Sequence, residues 1–424
     1  MLYNLIEMLY PRLLEREILR YLPEREALII LGARQVGKTS LMLRIKSKIE
    51  KEVPCFYFDL EKPQDLEKVE AGCEEFLQFL EIQGASRKQR NVVFIDEIHY
   101  LSEPAKFIKL MVDHYSSQVK LIVSGSSSLE IKKKFKESMV GRKFIFHLYP
   151  LNFHEFLIFK KRKDLAKLLP QGFFLYFSGE DKTRFFLEEY KRYFLEFVIF
   201  GGYPRVAMAK DLELKKKILE EIVTSYILKD IRSLFQIENV AKFNRLVKLL
   251  AINSGNLLNI NSLSSATGIP RYLTSQYVTV LENTYLIDLL PPYFTNKKKE
   301  VVKTHKVYFL DNGLRNYLTG GNFYFTEERE DIGALLEATV FSGLKKKKEE
   351  VKLYFWRNQN KAEVDFIVGH SGKLYPVEVN RAGKPSRALY TFMDYYKLQR
   401  GYIVYAGNFS EKGRICFVPL WWLG

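Results

Sequence analysis

Chemistry in this chain is concentrated first in Gly32-Ala33-Arg34-Gln35-Val36-Gly37-Lys38-Thr39, a G-x-x-x-x-G-K-T run. The apolar stretch Ala27–Leu31 precedes it and Ser40 to Ile45 follow with helical spacing, so the run lies where a strand gives way to a helix. Glycines at such a turn allow backbone angles closed to other residues, and successive N–H groups can turn inward on a polyphosphate. The helix that follows presents its positive end to the same charge. Lys38 can reach the β- and γ-phosphates, and the Thr39 hydroxyl can ligate Mg²⁺. Residues Gly32 through Ser40 are therefore the expected nucleotide-binding set, with Mg²⁺ as its ion.

The second cluster is Asp96-Glu97, which ends the apolar run Val92-Val93-Phe94-Ile95, 57 residues beyond Thr39. Four apolar residues in a row fit a strand covered on both faces, with the acids where it reaches solvent. Ligands of parallel sheets bind beyond the carboxyl ends of strands, which sets Asp96 and Glu97 beside the glycine-rich loop. Asp96 is expected to hold the Mg²⁺ with Thr39, and Glu97 to orient and deprotonate an attacking water. A later apolar run ends in Val123-Ser124-Gly125-Ser126-Ser127-Ser128. Ser126 is placed to contact a γ-phosphate or the lytic water; the alternative is a helix N-cap from Ser127 or Ser128.

Positioning these groups requires alternating strands and helices. Strand-like runs at Cys55–Asp59, Asn91–Asp96, Lys120–Ser124 and Lys143–Leu148 are separated by helical stretches such as Glu74–Ile82 and Ala105–Tyr115. That alternation predicts an α/β fold with a parallel sheet. The length of 424 residues exceeds one compact core, and 47% hydrophobic with 14% aromatic content excludes a largely disordered chain. Lys and Arg outnumber Asp and Glu by 66 to 50, a net +16 that attracts polyanions, nucleic acid first. Lys-rich surfaces also arise as plain solvation in heat-adapted proteins, which is the competing explanation. Cys55, Cys73 and Cys416 are scattered and odd in number, which suits reduced thiols and argues against a disulfide frame or zinc site. The first nineteen residues are interrupted by Glu7, Arg12, Glu15, Arg16 and Glu17, and no uncharged apolar run approaches the ~20 residues of a membrane span. The expectation is a soluble, cytoplasmic protein with no membrane partner.

Taken together, G-A-R-Q-V-G-K-T, F-I-D-E-I-H, S-G-S-S-S, M-V-G-R and L-Y-P-L-N-F-H-E-F resemble one group of archaeal and bacterial AAA+ ATPases that carry an uncharacterised nuclease-like C-terminal domain. The resemblance implies ATP as the nucleotide and ATP hydrolysis as the activity. It also places Arg142 where an arginine aimed at a phosphate is expected; the alternative is a surface arginine near a strand edge. Gly201-Gly202-Tyr203-Pro204 matches the same pattern and reads as a structural turn. The implied organisation is an AAA+ P-loop core over 1–155, a helical lid or connector over 156–235, a winged helix over 236–305 and a nuclease-like α/β domain over 306–424. The winged helix rests on a short helix over 261–267, the Gly268 turn and a second helix from Arg271 to Leu286, with Lys297-Lys298-Lys299 beyond.

Within the last segment, Glu363 and Asp365 share one strand face, and Glu378 and Asn380 another. Acids on neighbouring strands followed by E-x-K form the metal site of restriction-endonuclease-like PD-(D/E)xK nucleases, which this segment resembles. The resemblance puts Glu337, Asp365 and Glu378 at the acidic positions of a second metal site. The lysine position, however, holds Asn380, and neither Lys373 nor Lys384 lies at the expected spacing. Cleavage is expected to be reduced or lost. The plainer alternative makes Glu363 and Asp365 a solvated strand face. Three functions follow in order: an ATPase that binds or remodels DNA, an ATP-dependent metal-requiring endonuclease, and a signalling or scaffold ATPase with a protein partner or further copies of itself.

Overall fold

The structure is a computed structural model. It describes residues 10–86, 88–126, 139–170, 180–225, 237, 239–295, 303–321, 323–324, 329–346 and 351–424. The chain divides into two compact units, Met1–Tyr149 with Asn283–Tyr285, and Pro150–Glu282 with Leu286–Gly424.

The first unit is an α/β fold around a five-stranded sheet. Its strands are β1 (Ala27–Gly32), β2 (Cys55–Asp59), β3 (Asn91–Asp96), β4 (Val119–Ser126) and β5 (Lys143–His147), in the order β2-β3-β4-β1-β5. Every pairing is parallel. All six residues of β1 and of β3 are buried, as continuous apolar strands demand when both sheet faces are covered. β4 is inserted between β1 and β3, so its carboxyl end lies between the glycine-rich loop and Asp96-Glu97. Sequence patterning finds the strands but not this order, because adjacency in a parallel sheet is set by the crossovers.

In the second unit, helices Phe153–Phe159, Lys163–Leu168, Leu187–Phe200, Pro204–Met208 and Leu212–Ile222 come first. A capping box between Asn152 and Glu155 starts the first of them. In the Gly201-Gly202-Tyr203-Pro204 turn, Pro204 opens its helix and the Gly202 N–H donates to buried Asp311 at 2.7 Å. A Cβ on Gly202 would lie 2.2 Å from the Leu151 carbonyl oxygen, so the close backbone approach requires glycine there.

Helices Val240–Ile252, Ile260–Thr267 and Arg271–Asn283 lead to an antiparallel pair, β6 (Ile287–Leu290) and β7 (Lys306–Phe309). Gly268, at φ +65°, ends the middle helix in the left-handed region. Lys297-Lys298-Lys299 lie outside the described residues. After helix Ile332–Lys345 come β8 (Lys352–Arg357), β9 (Glu363–His370) and β10 (Lys373–Val379), an antiparallel meander. Helix Arg387–Tyr395 leads to β11 (Gly401–Tyr405), followed by β12 (Ser410–Lys412) and β13 (Ile415–Pro419). The six-stranded sheet runs β12-β13-β11-β10-β9-β8, with β11 parallel to both neighbours. Leu389, Phe392 and Met393 of helix Arg387–Tyr395 pack on Val364, Ile367 and Ile403 to form the core of this part. Among the described residues no helix is long and apolar enough to cross a membrane.

Candidate functional site

The glycine-rich loop takes its shape from residues inside and outside it. Gln35 and Gly37 both lie in the left-handed region, at φ +61° and +96°, and helix Lys38–Ile49 begins immediately after. Gly32 is required for another reason. A Cβ there would sit 2.2 Å from the Leu148 carbonyl oxygen, because the Leu148 N–H donates to Leu31 at 2.7 Å and holds that backbone against β1. The guanidinium of buried Arg12 donates to the Val36 carbonyl at 2.7 Å and, through its other terminal nitrogen, to the Tyr149 carbonyl at 2.7 Å. Ala33 and Val36 are buried, Arg34 and Gln35 half-buried, and Thr39 and Ser40 exposed at the helix start.

Lys38 is only 5% exposed. Its Nζ donates to the carbonyls of Gly32 at 3.3 Å and Ala33 at 3.2 Å, and lies 3.6 Å from Glu97 Oε1. The Thr39 hydroxyl donates to Asp96 Oδ2 at 2.5 Å. The structure thus gathers Lys38, Thr39, Asp96 and Glu97 around one point. Glu97 adopts φ +52°, a left-handed angle uncommon for a carboxylate residue, and its Oε2 lies 3.1 Å from His99 Nδ1.

Two further residues hold Asp96: Tyr57, which no motif marks, and Ser124, which opens the S-G-S-S-S stretch but is not singled out within it. The Tyr57 hydroxyl on β2 donates to Oδ2 at 2.8 Å, and the Ser124 hydroxyl on β4 donates to Oδ1. Ser124 also accepts the Glu97 N–H at 3.1 Å, so one buried hydroxyl braces both acids. Burial, then the charge of Asp96 and its hydrogen bond, raise the Tyr57 hydroxyl pKa, so Tyr57 stays a donor. Ser126 pairs with Gly32 across β4 and β1, which puts its backbone beside the start of the loop; Ser127 and Ser128 lie outside the described residues.

Arg142 stands elsewhere. Its carbonyl accepts the Ala27 N–H at 3.0 Å, at the end of β1 opposite Gly32. At ~3.3 Å per strand residue, the length of β1 separates it from the loop of its own chain. Its Nε donates to Asp113 at 2.6 Å.

The C-terminal acids are only partly gathered. Glu337 meets Lys306 Nζ at 3.0 Å, and Glu363 meets the same nitrogen at 2.5 Å. The Tyr308 hydroxyl also donates to Glu337. Asp365 accepts the Val379 N–H at 2.8 Å; burial, then the charge of Glu337, raise its pKa well above the carboxylate range against the opposing Lys306. Glu378 turns to Ser386, accepting its N–H at 3.1 Å and its hydroxyl, and so braces the start of helix Arg387–Tyr395. Asn380 accepts the Ala382 N–H and donates to the Lys384 carbonyl, a turn-forming role. Among the described residues no group of three or more His, Cys, Asp or Glu is arranged to hold a metal ion. Lys306, which reaches Glu337 and Glu363, carries no signal in the sequence because β7 is remote from β9 along the chain.

Residues 24–157 match the family model of an AAA domain. Residues 191–323 and 332–423 match two domains of unknown function, DUF8612 and DUF4143. The AAA match takes in Gly32–Thr39 and Asp96-Glu97 of the first unit. An uncharacterized protein of Methanocaldococcus jannaschii is 27% identical over 383 residues, 88% of this chain and 79% of that one. An uncharacterized protein of Mycobacterium tuberculosis is 24% identical over 405 residues, 94% of this chain and 81% of that one. Among solved structures, a Walker-type ATPase of Pyrococcus abyssi is similar at 16% identity and TM-score 0.46, covering 74% of this chain and 96% of that one. The RuvB Holliday junction branch migration motor of Thermotoga maritima is similar at 17% identity and TM-score 0.32, covering 66% and 90%.

Proposed function

We propose that this protein binds ATP with Mg²⁺ at residues 32–40 and hydrolyses it, and that turnover serves an action on DNA. The observation that carries the reading is the 2.5 Å contact of Thr39 with Asp96, with Lys38 and Glu97 within 3.6 Å of each other alongside. Hydroxyl and carboxylate oxygens side by side are the hard donors that Mg²⁺ prefers, so the residues fit the ion. Thr39 and Asp96 would hold it, and the ion would supply charge neutralisation between the outer phosphates. Lys38, now bonded to two loop carbonyls, exchanges them for phosphate oxygens. Glu97 accepts the proton of the attacking water, with His99 and Ser124 fixing its direction. Ser126, whose backbone pairs with Gly32, is proposed as a further contact.

The geometry of Arg142 bears on assembly. Set at the far end of β1, it is out of reach of a phosphate in its own loop, so an arginine-finger role requires a second copy of the chain. In this reading residues 1–155 are the ATPase core, slightly longer than the compact first unit that ends at Tyr149, and 156–235 the helical connector. Three helices followed by β6 support a winged helix over 236–305, with β6 pairing to β7 just beyond that bound. A helix, an antiparallel meander, a second helix and a parallel strand support a nuclease-like fold over 306–424. Its cleavage is impaired, since Asn380 is spent on a turn and Glu378 on a helix cap. The charge of +16 supports a nucleic-acid partner.

The test is ATP turnover measured with and without single-stranded, duplex and branched DNA. Lys38→Ala should abolish tight ATP binding, and Glu97→Gln should leave binding intact while slowing hydrolysis about 100-fold or more. Normal turnover by Glu97→Gln would refute the assignment of the base. Failure of every DNA form to change the rate or to bind at low salt would refute the DNA action alone.

A further inference from the structure

We infer that Lys306 is the resident cation of the C-terminal acidic cluster: its ammonium stands where a divalent metal would bridge Glu337 and Glu363, and so keeps such an ion out. The inference deepens the impaired-nuclease reading above and is independent of the ATPase site.

The argument starts from β7. Lys306 pairs with Leu290 on β6 and bridges to Leu257 on its other side, and the neighbouring His305 carbonyl accepts the Leu258 N–H at 2.8 Å. The backbone of Lys306 is thus fixed from two directions, and the residue is 3% exposed. Its stem runs past Phe355, with Nζ 5.6 Å from the ring centre. The nitrogen ends 3.0 Å from Glu337 Oε1 and 2.5 Å from Glu363 Oε1. An ion bound to both oxygens at about 2.1–2.4 Å would have to occupy the space of that ammonium. Two positive charges in contact cannot share the position at so short a separation.

Charge balance agrees with the geometry. Arg357 adds a second cation 3.5 Å from Glu363 Oε2, and Tyr308 donates to the Glu337 oxygen already facing Lys306. The lone pairs that a metal would use are therefore committed to protein donors. The ammonium is held by two carboxylates at once. The end of β10 carries Asn380 and no lysine, while the cation at the acids comes from β7, where it blocks an ion rather than assisting one.

The experiment uses the full-length, nucleotide-free protein and Mn²⁺ followed by electron paramagnetic resonance. Wild type is expected to bind no Mn²⁺ at this cluster, so Asp365→Asn leaves its Mn²⁺ titration unchanged. Lys306→Met should gain one site, at least about tenfold tighter than any in wild type, and lose it again when Glu363→Gln is added. Mn²⁺ should raise the melting temperature of Lys306→Met more than that of wild type. If Lys306→Met is unfolded without metal, recovery of the fold by Mn²⁺ supports the inference and failure to recover counts against it. Stoichiometric binding by wild type that Glu337→Gln or Asp365→Asn abolishes would overturn it. So would a folded Lys306→Met that gains no site.

Discussion

Tyr57→Phe removes a single oxygen from the centre of the proposed ATPase site and leaves the ring in place. In the structure Asp96 receives Thr39, Tyr57, Ser124 and the Glu97 N–H, and Tyr57 acts on the same oxygen, Oδ2, as Thr39. A hydrogen bond to a charged acceptor contributes about 1.5–3 kcal/mol. With three other donors left on the carboxylate, the loss should lie near the lower bound, about 1.5 kcal/mol, or roughly tenfold in an equilibrium constant. The carboxylate would then hold Mg²⁺ in less uniform directions, because Oδ2 swings once its β2 partner is gone. The assay is steady-state ATP hydrolysis titrated with Mg²⁺. The concentration giving half-maximal rate should rise about tenfold, with most of the rate recovered at saturating Mg²⁺, and ATP binding without Mg²⁺ should be unchanged. An unaltered Mg²⁺ dependence would refute the view that Tyr57 positions Asp96. A rate loss that Mg²⁺ cannot restore would refute it equally, by showing a structural collapse.

Other outcomes follow from features outside that site. Gly202→Ala should destabilise the second unit by about 3 kcal/mol or more in urea unfolding, since its Cβ would meet the Leu151 carbonyl at 2.2 Å and the backbone on either side is hydrogen-bonded in place. Acid should weaken the protein through Asp331. Burial works to raise this carboxyl, but hydrogen bonds from Arg329 and Arg315 outweigh it and hold the pKa at about 2, below its usual 3.8. A carboxyl whose folded pKa is depressed contributes stability above the unfolded value and loses it as pH falls through the folded one. The contribution should therefore be complete above about pH 4 and vanish towards pH 2, and Asp331→Asn should flatten that part of a stability profile from thermal melts.

What could be read from the chain differs sharply between the two ends of the molecule. Gly32–Thr39 and Asp96-Glu97 were legible because their chemistry is local: each is a run of consecutive residues at a strand end, and a parallel sheet puts such ends together. Tyr57 and Ser124 were not, because their roles depend on β2 and β4 flanking β3, and strand order leaves no mark on a single strand's pattern. Gly32 was recognised for its motif, yet its requirement comes from Leu148, more than a hundred residues on. The C-terminal acids show the opposite difficulty. Alternation placed Glu363 and Asp365 on one face, but gave no hint that Glu378 would turn to Ser386 or that Lys306 would arrive from β7. A long-range ion pair has no period.

Arg12 joins the carbonyl of Val36 to that of Tyr149 through one planar guanidinium. Because the two nitrogens share a rigid plane, that one side chain fixes the spacing between the glycine-rich loop and the last residue of the first unit's main segment, so a substitution at Arg12 would free both carbonyls at once.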